Sequence, residues 1–316
     1  YTSFDRYALR VNTEFNLGSR VRIGENMQVA YSERIGQPNG NNSESNPISF
    51  AYRIQPIIPV HDIMGNFAGT KGVDLDNSRN PMADLWRNKD NVEKLGRLFG
   101  NVFAEIDILK NLTARTQIGL DYYTYNFRNY TIRDLESAES RGTNSLTQSA
   151  GYEYTWIWYN TLTYNIEINS DNRFNIIVGS EAIKNNYELF TASRSRFSVD
   201  DLYNRYLDAG NGGTASNTGT GSDWNLASEF AKINYSFASK YLVDLTMRRD
   251  RSSRFAEEFR TAYFPSVSAG WRLSQEGFMS GFTFLNDLKL RAGWGKTGNQ
   301  EIGLYQSLER LVPIQG

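Results

Sequence analysis

The feature that most constrains this chain is an alternation of apolar and polar residues that recurs in ten separate runs. Tyr7, Leu9, Val11, Thr13 and Phe15 fall on one face of an extended segment, opposite Arg6, Ala8, Arg10, Asn12 and Glu14. After Leu17-Gly18-Ser19-Arg20 the period resumes with Val21, Ile23, Met27, Val29 and Tyr31, which predicts a hairpin. A second pair sets Val102, Ala104, Ile106 and Ile108 against Leu112, Ala114, Ile118, Leu120 and Tyr122 across Leu109-Lys110-Asn111. The third runs through Tyr152, Tyr154, Trp156, Trp158, Leu162 and Tyr164, then Phe174, Ile176, Val178 and Ala182. The fourth joins Ala231, Ile233, Tyr235 and Phe237 to Tyr241, Val243, Leu245 and Met247 through Ala238-Ser239-Lys240. The fifth joins Val267, Ala269, Trp271 and Leu273 to Leu288, Leu290, Ala292 and Trp294. A side-chain period of two on this scale specifies an antiparallel all-β protein.

The last run contains Gly295-Lys296-Thr297, which resembles the end of a phosphate-binding loop, but the glycine that motif needs five positions earlier is Leu290. A nucleotide site is excluded there, and the stretch reads as a strand.

Links within each pair are short, whereas those between pairs are long, at about 33–97, 126–149, 187–228 and 249–262. The long links carry loop chemistry, such as QPNGNNSESNP at 37–47 and GNGGTASNTGTG at 210–221. Short turns on one edge and long loops on the other are the pattern of a transmembrane up-and-down β-barrel with periplasmic turns and extracellular loops. That orientation predicts two aromatic girdles, one from Tyr122, Tyr125, Tyr152, Tyr154, Trp156 and Trp158 and one that includes Tyr241 and Trp271.

Composition is compatible with this. Mean hydropathy is −0.54 and net charge −1, so no charge imbalance points to nucleic acid. No run of about 18 apolar residues exists for a membrane helix. A barrel would show none, because only alternate residues meet lipid. Cysteine is absent and His61 is the single histidine, which excludes disulfides, thiol catalysis and zinc sites of Cys and His. No G-x-S-x-G motif or carboxylate-pair motif supports an enzyme, and no cofactor is expected. The start, YTSFDRYALRV, carries no secretory signal, so the chain is either intracellular or an internal piece of a longer polypeptide. A soluble, secreted all-β protein that binds or degrades glycans is the competing reading, in which the apolar faces would form a core. Against it stand Arg10, Glu14, Arg115, Asp121, Glu153, Glu181, Lys232, Asp244 and Arg291, long or charged groups in mid-strand, as a watery lumen permits.

Specific words strengthen the barrel reading. KINYSFASKYLVDLTMRRDRSSRF at 232–255, YFPSVSAGWRLSQEGFM at 263–279 and LKLRAGWGKTGNQEIG at 288–303 resemble signatures of SusC/RagA-type TonB-dependent outer-membrane transporters. YALRVN at 7–12, PIIPVHDIMGNF at 56–67, YTWIWYNTLTYN at 154–165 and LYNRYLDAG at 202–210 are weaker echoes. One departure is Arg251, where the RRDGSSRF-like word has glycine. The resemblance implies barrels of about 22 strands with an N-terminal plug. Residues 1–316 would then be a partial transmembrane barrel domain, with the plug, the TonB box and the remaining strands elsewhere. It further implies residence in the bacterial outer membrane, contact with its lipid, and import of nutrient oligomers with TonB and a SusD-like surface lipoprotein as partners. Glycan oligosaccharides are the expected cargo, peptides the alternative.

For a sugar cargo, Trp86, Tyr203, Tyr206 and Trp224 are candidate stacking platforms on long loops. Arg248, Arg249, Arg251 and Arg254 form either a basic patch for anionic cargo or ion pairs with Asp250, Glu257 and Glu258. Asp74, Asp76 and Asp84 could serve a calcium ion, although they lack EF-hand spacing.

Overall fold

The computed structural model describes residues 2–36, 47–282 and 284–306. The loop signal at 37–47 lies, apart from Pro47, outside the described residues. Ten strands form one antiparallel sheet in sequence order, β1 (Ser3–Leu17), β2 (Val21–Ile35), β3 (Val92–Leu109), β4 (Leu112–Thr131), β5 (Ser145–Glu167), β6 (Asn172–Ser195), β7 (Ser216–Phe237), β8 (Tyr241–Ser252), β9 (Thr261–Arg272) and β10 (Lys289–Gly295). The topology is up-and-down throughout. Among the described residues the sheet is open, with β1 paired only to β2 and β10 only to β9.

Register carries one face around the whole sheet. Leu9 opposes Val29, Val29 opposes Leu98, and Leu98 opposes Tyr122. Further round, Val178 opposes Ala231, Ala231 opposes Met247, and Val267 opposes Trp294. The apolar alternates of each strand therefore share one surface, and no described residue covers them: Leu9 is 67% exposed, Ile106 45% and Leu290 55%. A soluble sandwich would bury this set beneath a second layer. Carboxylates also enter the outward row, among them Glu25, which accepts a hydrogen bond from Thr13 at 3.0 Å.

Turns follow the local chemistry. The β1–β2 turn uses Gly18 at φ 70°, and the β7–β8 turn puts both Ala238 and Ser239 at positive φ, as a tight hairpin requires. Glycines on the inner face allow close ring packing. A Cβ on Gly179 would lie 2.3 Å from the Phe230 ring of the neighbouring strand, and that ring stacks on Tyr159 at 5.7 Å.

The strands run much further than the apolar alternation suggests. β5 has 23 residues and β6 24, whereas crossing a membrane takes about 9–11. The expected long links are correspondingly shorter: Ser216–Gly221, within a stretch with loop composition, is strand. The link after β2 holds two short helices, α1 (Pro47–Arg53) and α2 (Pro81–Asn88). Asn80 caps α2 by accepting from the amides of Met82 and Ala83, and Pro81 occupies its first turn.

Candidate functional site

Two regions carry concentrated polar chemistry: the inner face of the sheet and the loops above its long-link edge. On the inner face, charged and amide side chains bond laterally from strand to strand. Arg22 pairs with Glu105, which Arg115 also approaches at 3.4 Å. Arg97 makes a two-point contact with Asp121 at 2.9 and 2.8 Å, and its guanidinium lies over Tyr123 at 4.6 Å. Tyr125 donates to Glu153 at 3.0 Å, and Asn185 donates to the same carboxylate at 2.9 Å. Further round, Arg248 joins Glu181 at 2.6 Å, Asp250 at 2.7 Å and Ser228 at 2.8 Å. Near the short-turn rim this face forms a groove of about 730 Å³ lined by Asn165, Asn175, Asn234, Asp244, Lys289 and Arg291 among others. Such a wall suits water and polar solutes and is unsuited to lipid.

The loops form a small packed unit of their own. Tyr130, Leu146 and Phe197 are buried together, with the Tyr130 and Phe197 rings edge-on at 5.3 Å. Asn144 clamps the unit, accepting from the Phe197 amide at 2.7 Å and donating to the Phe197 carbonyl at 3.0 Å and to Asp200 at 2.6 Å. Buried Arg205 ties two links and the end of β4 together: it pairs with Asp90 at 3.2 Å, donates to the Asp200 carbonyl of its own link at 3.1 Å and lies over the Tyr130 ring at 4.4 Å. Burial alone would push the Asp200 carboxyl up, but hydrogen bonds from Asn144, Tyr130 and Arg133 outweigh it and hold it below the usual range. A second cluster gathers Arg79, Arg87 and Arg141 around Asp84 and Asp134. Burial pushes the Asp84 carboxyl up, opposed by those three guanidiniums, and lowers Arg141 from its ordinary value.

The expected site residues separate in this frame. Trp86 is on α2, 40% exposed, with its ring 5.8 Å from Phe67 and Lys89 above it at 5.4 Å. Tyr203 and Tyr206 flank Arg205 and are 85% and 65% exposed, so the buried arginine presents two free rings to solvent. Trp224 is not on a loop: it lies in β7 on the inner face opposite Asn185, under the Arg254 guanidinium at 4.6 Å. Tyr122, Tyr152, Tyr154, Trp156 and Trp158 are all outward: Tyr152 and Tyr154 stand in the long-link half of β5, Tyr122 and Trp156 at mid-strand, and Trp158 in the short-turn half. Tyr125 is a correction, since it sits three residues from Tyr122 and must face inward, where it meets Glu153. At the opposite rim, Tyr241 and Trp271 stack at 6.4 Å, and both donate to Glu276, at 2.7 and 3.0 Å. Glu276 falls within the 263–279 word and Arg205 within the 202–210 echo, but neither the words nor any period assigned them a role, and Asn144 lies in no such word.

The four arginines of RRDRSSRF do not form one patch. Arg248 turns inward, Arg254 pairs with Glu301 at 3.1 Å, and Arg249 and Arg251 face outward, the former with Glu229 at 3.0 Å. Of the expected partners only Asp250 is used, with no bridge to Glu257 or Glu258 among the described residues. Asp74, Asp76 and Asp84 do not converge either. Asp76 accepts from the Ser78 amide at 2.6 Å and Asp84 joins the arginine cluster, and no metal-holding group of three such side chains occurs among the described residues.

Comparison with known proteins fits this geometry. No protein-family model matches the chain. It is 25% identical over 315 residues to TonB-dependent receptor P26 of Formosa agariphila, covering 98% of this chain and 31% of that receptor. Over 78 residues, 25% of this chain and 8% of the relative, it is 49% identical to TonB-dependent receptor SusC of Bacteroides thetaiotaomicron. The structure of the RagAB peptide transporter overlays on 96% of this chain and 34% of its own, at a TM-score of 0.78 and 24% identity. The chain is similar to a segment of SusC/RagA-type barrels. It spans about a third of the length of the receptors it matches. This SusC/RagA-type segment lies in the bacterial outer membrane, its apolar face outward and its polar network inward.

Proposed function

We propose that the protein carrying this segment imports nutrient oligomers across the outer membrane, driven through TonB and covered by a SusD-like surface lipoprotein. The observation that carries this reading is the continuous register that gives a long antiparallel wall one apolar and one hydrogen-bonded polar face. The plug and the remaining strands lie in the rest of the polypeptide, and closing the wall with them removes the two open edges, which lipid does not tolerate. In this reading Tyr122, Tyr152, Tyr154, Trp156 and Trp158 anchor the outer membrane interface, and Tyr241 and Trp271 the inner one.

Glycan oligosaccharides are the cargo we assign. Tyr203 and Tyr206, held out from a buried arginine, and Trp86 on α2 offer ring faces to sugars at the mouth. Trp224 would meet cargo from the inner face. Peptides are the second reading, supported by the likeness to a structure described as a peptide transporter. Deleting the gene and growing the bacterium on defined oligomers tests both. Growth is expected to fail on oligosaccharides and to persist on their monosaccharides. Failure confined to peptide mixtures assigns the second reading, and unimpaired growth on every oligomer overturns import.

A further inference from the structure

The four-arginine word leaves two guanidiniums on the outside of the barrel. From the short-turn rim, the outward row of β8 reads Tyr241, Val243, Leu245 and Met247, flanked by Phe237, Tyr235, Ile233 and Ala231 on β7 and by Trp271, Ala269, Val267 and Pro265 on β9. The next two outward positions are Arg249 and Arg251, both exposed. With about 3.3 Å per residue and a tilt near 40°, Arg249 stands about 20 Å above Tyr241 and Arg251 about 25 Å, where the roughly 25 Å apolar band of such a barrel ends. The two cations are therefore level with the headgroups of the outer leaflet.

They border a groove of about 390 Å³ on that outer wall. Its floor is small, Ala182 and Ala227, with Trp158 on one side and Glu229, Arg249 and Arg251 on the other. Glu229 neutralises Arg249 in part, at 3.0 Å, and both side chains are well exposed. No ion pair or hydrogen bond engages the Arg251 side chain among the described residues, and one row higher Lys184 adds a further outward cation opposite Asn225. The acids of this face, Asp223 and Glu188, sit further up the strands. Trp158, 49% exposed, supplies a ring at the edge of the groove opposite the two arginines.

We infer that this groove holds the phosphorylated sugar headgroup of an outer-leaflet glycolipid, with Arg249 and Arg251 on the phosphate and Trp158 against the sugar. A free guanidinium at the membrane boundary is matched by a planar, two-point phosphate contact, and the outward direction separates this site from any cargo path on the inner face.

The test uses the full-length transporter in neutral detergent, with monophosphoryl lipid A or its dephosphorylated form added and bound lipid counted by native mass spectrometry. Wild-type protein is expected to prefer the phosphorylated form about tenfold, two surface cations acting against one partial counter-charge. R249Q/R251Q should erase the preference, R251G should lose most of it, and R249K/R251K, which keeps both charges, should retain part of it. Heat-modifiable migration on gels establishes that each variant is folded. Equal retention of the two lipids by wild-type protein, an unchanged preference in folded R249Q/R251Q, or full displacement of the lipid by inorganic phosphate would each overturn the assignment.

Discussion

At the residue scale, the most consequential side chains belong to the loop clamp. Arg205 is 4% exposed, and its removal leaves Asp90 without its cross-loop partner and opens the face of Tyr130. Breaking a pair of this kind costs about 3 kcal/mol or somewhat less, since Asp90 keeps Lys89 at 2.9 Å. Arg205→Ala is therefore expected to leave the barrel folded while making residues 196–215 rapidly cleavable, as limited proteolysis of intact cells would record. The clamp also has a pH dependence. Because Asp200 is held below its ordinary value, its ionised form stabilises the folded loops at and above the unfolded carboxylate pKa of about 4. That contribution disappears as pH falls from there through the lower folded value. Hydrogen exchange of the Phe197 and Arg205 amides should hence be protected at pH 6 and accelerate below about pH 4 beyond the intrinsic rate, and Asp200→Asn should flatten the profile. None of these contacts was legible in the sequence, because Asn144 reaches Asp200 across 56 residues and Arg205 reaches Asp90 across 115, and none of them follows a period.

At the element scale, the alternation located all ten strands but not their lengths. Where β5, β6 and β7 rise above the membrane, polar residues occupy both faces, as Lys184, Asn186 and Glu188 do beside Asn185 and Tyr187. The period-two contrast then vanishes although the ladder of hydrogen bonds continues, so Ser216–Gly221 reads as loop and folds as strand. Parity also explains the one misplaced ring: Tyr125 was grouped with Tyr122 by proximity, whereas an odd separation places the two on opposite faces. Lipid gives parity an energetic meaning. Leu245→Arg, on the outward face of β8 midway up the apolar band, should cost about 2–4 kcal/mol and lower the heat-modification midpoint. Its neighbour Thr246→Arg points into the lumen and should leave that midpoint nearly unchanged.

At the scale of the whole molecule, one surface decides whether the chain is a membrane wall or a soluble sheet. The resemblance carried by residues 232–303 pointed to the right architecture because the signature words fall on β7 to β10 and their turns, where side chains are fixed by register. Cargo was less legible, since the candidate rings stand on links whose geometry depends on contacts between distant loops. The segment has no cysteine, so single cysteines placed from Val243 to Arg248 can carry a nitroxide in the full-length protein in lipid vesicles, wherever its flanks also lack reactive thiols. Accessibility to oxygen, which concentrates in lipid, against a water-soluble nickel chelate then reads the environment of each position. The expected result is a strict alternation, with Val243, Leu245 and Met247 open to oxygen and Asp244, Thr246 and Arg248 shielded from it. Equal water accessibility along both faces, or protection of the odd positions from both reagents, would contradict the account.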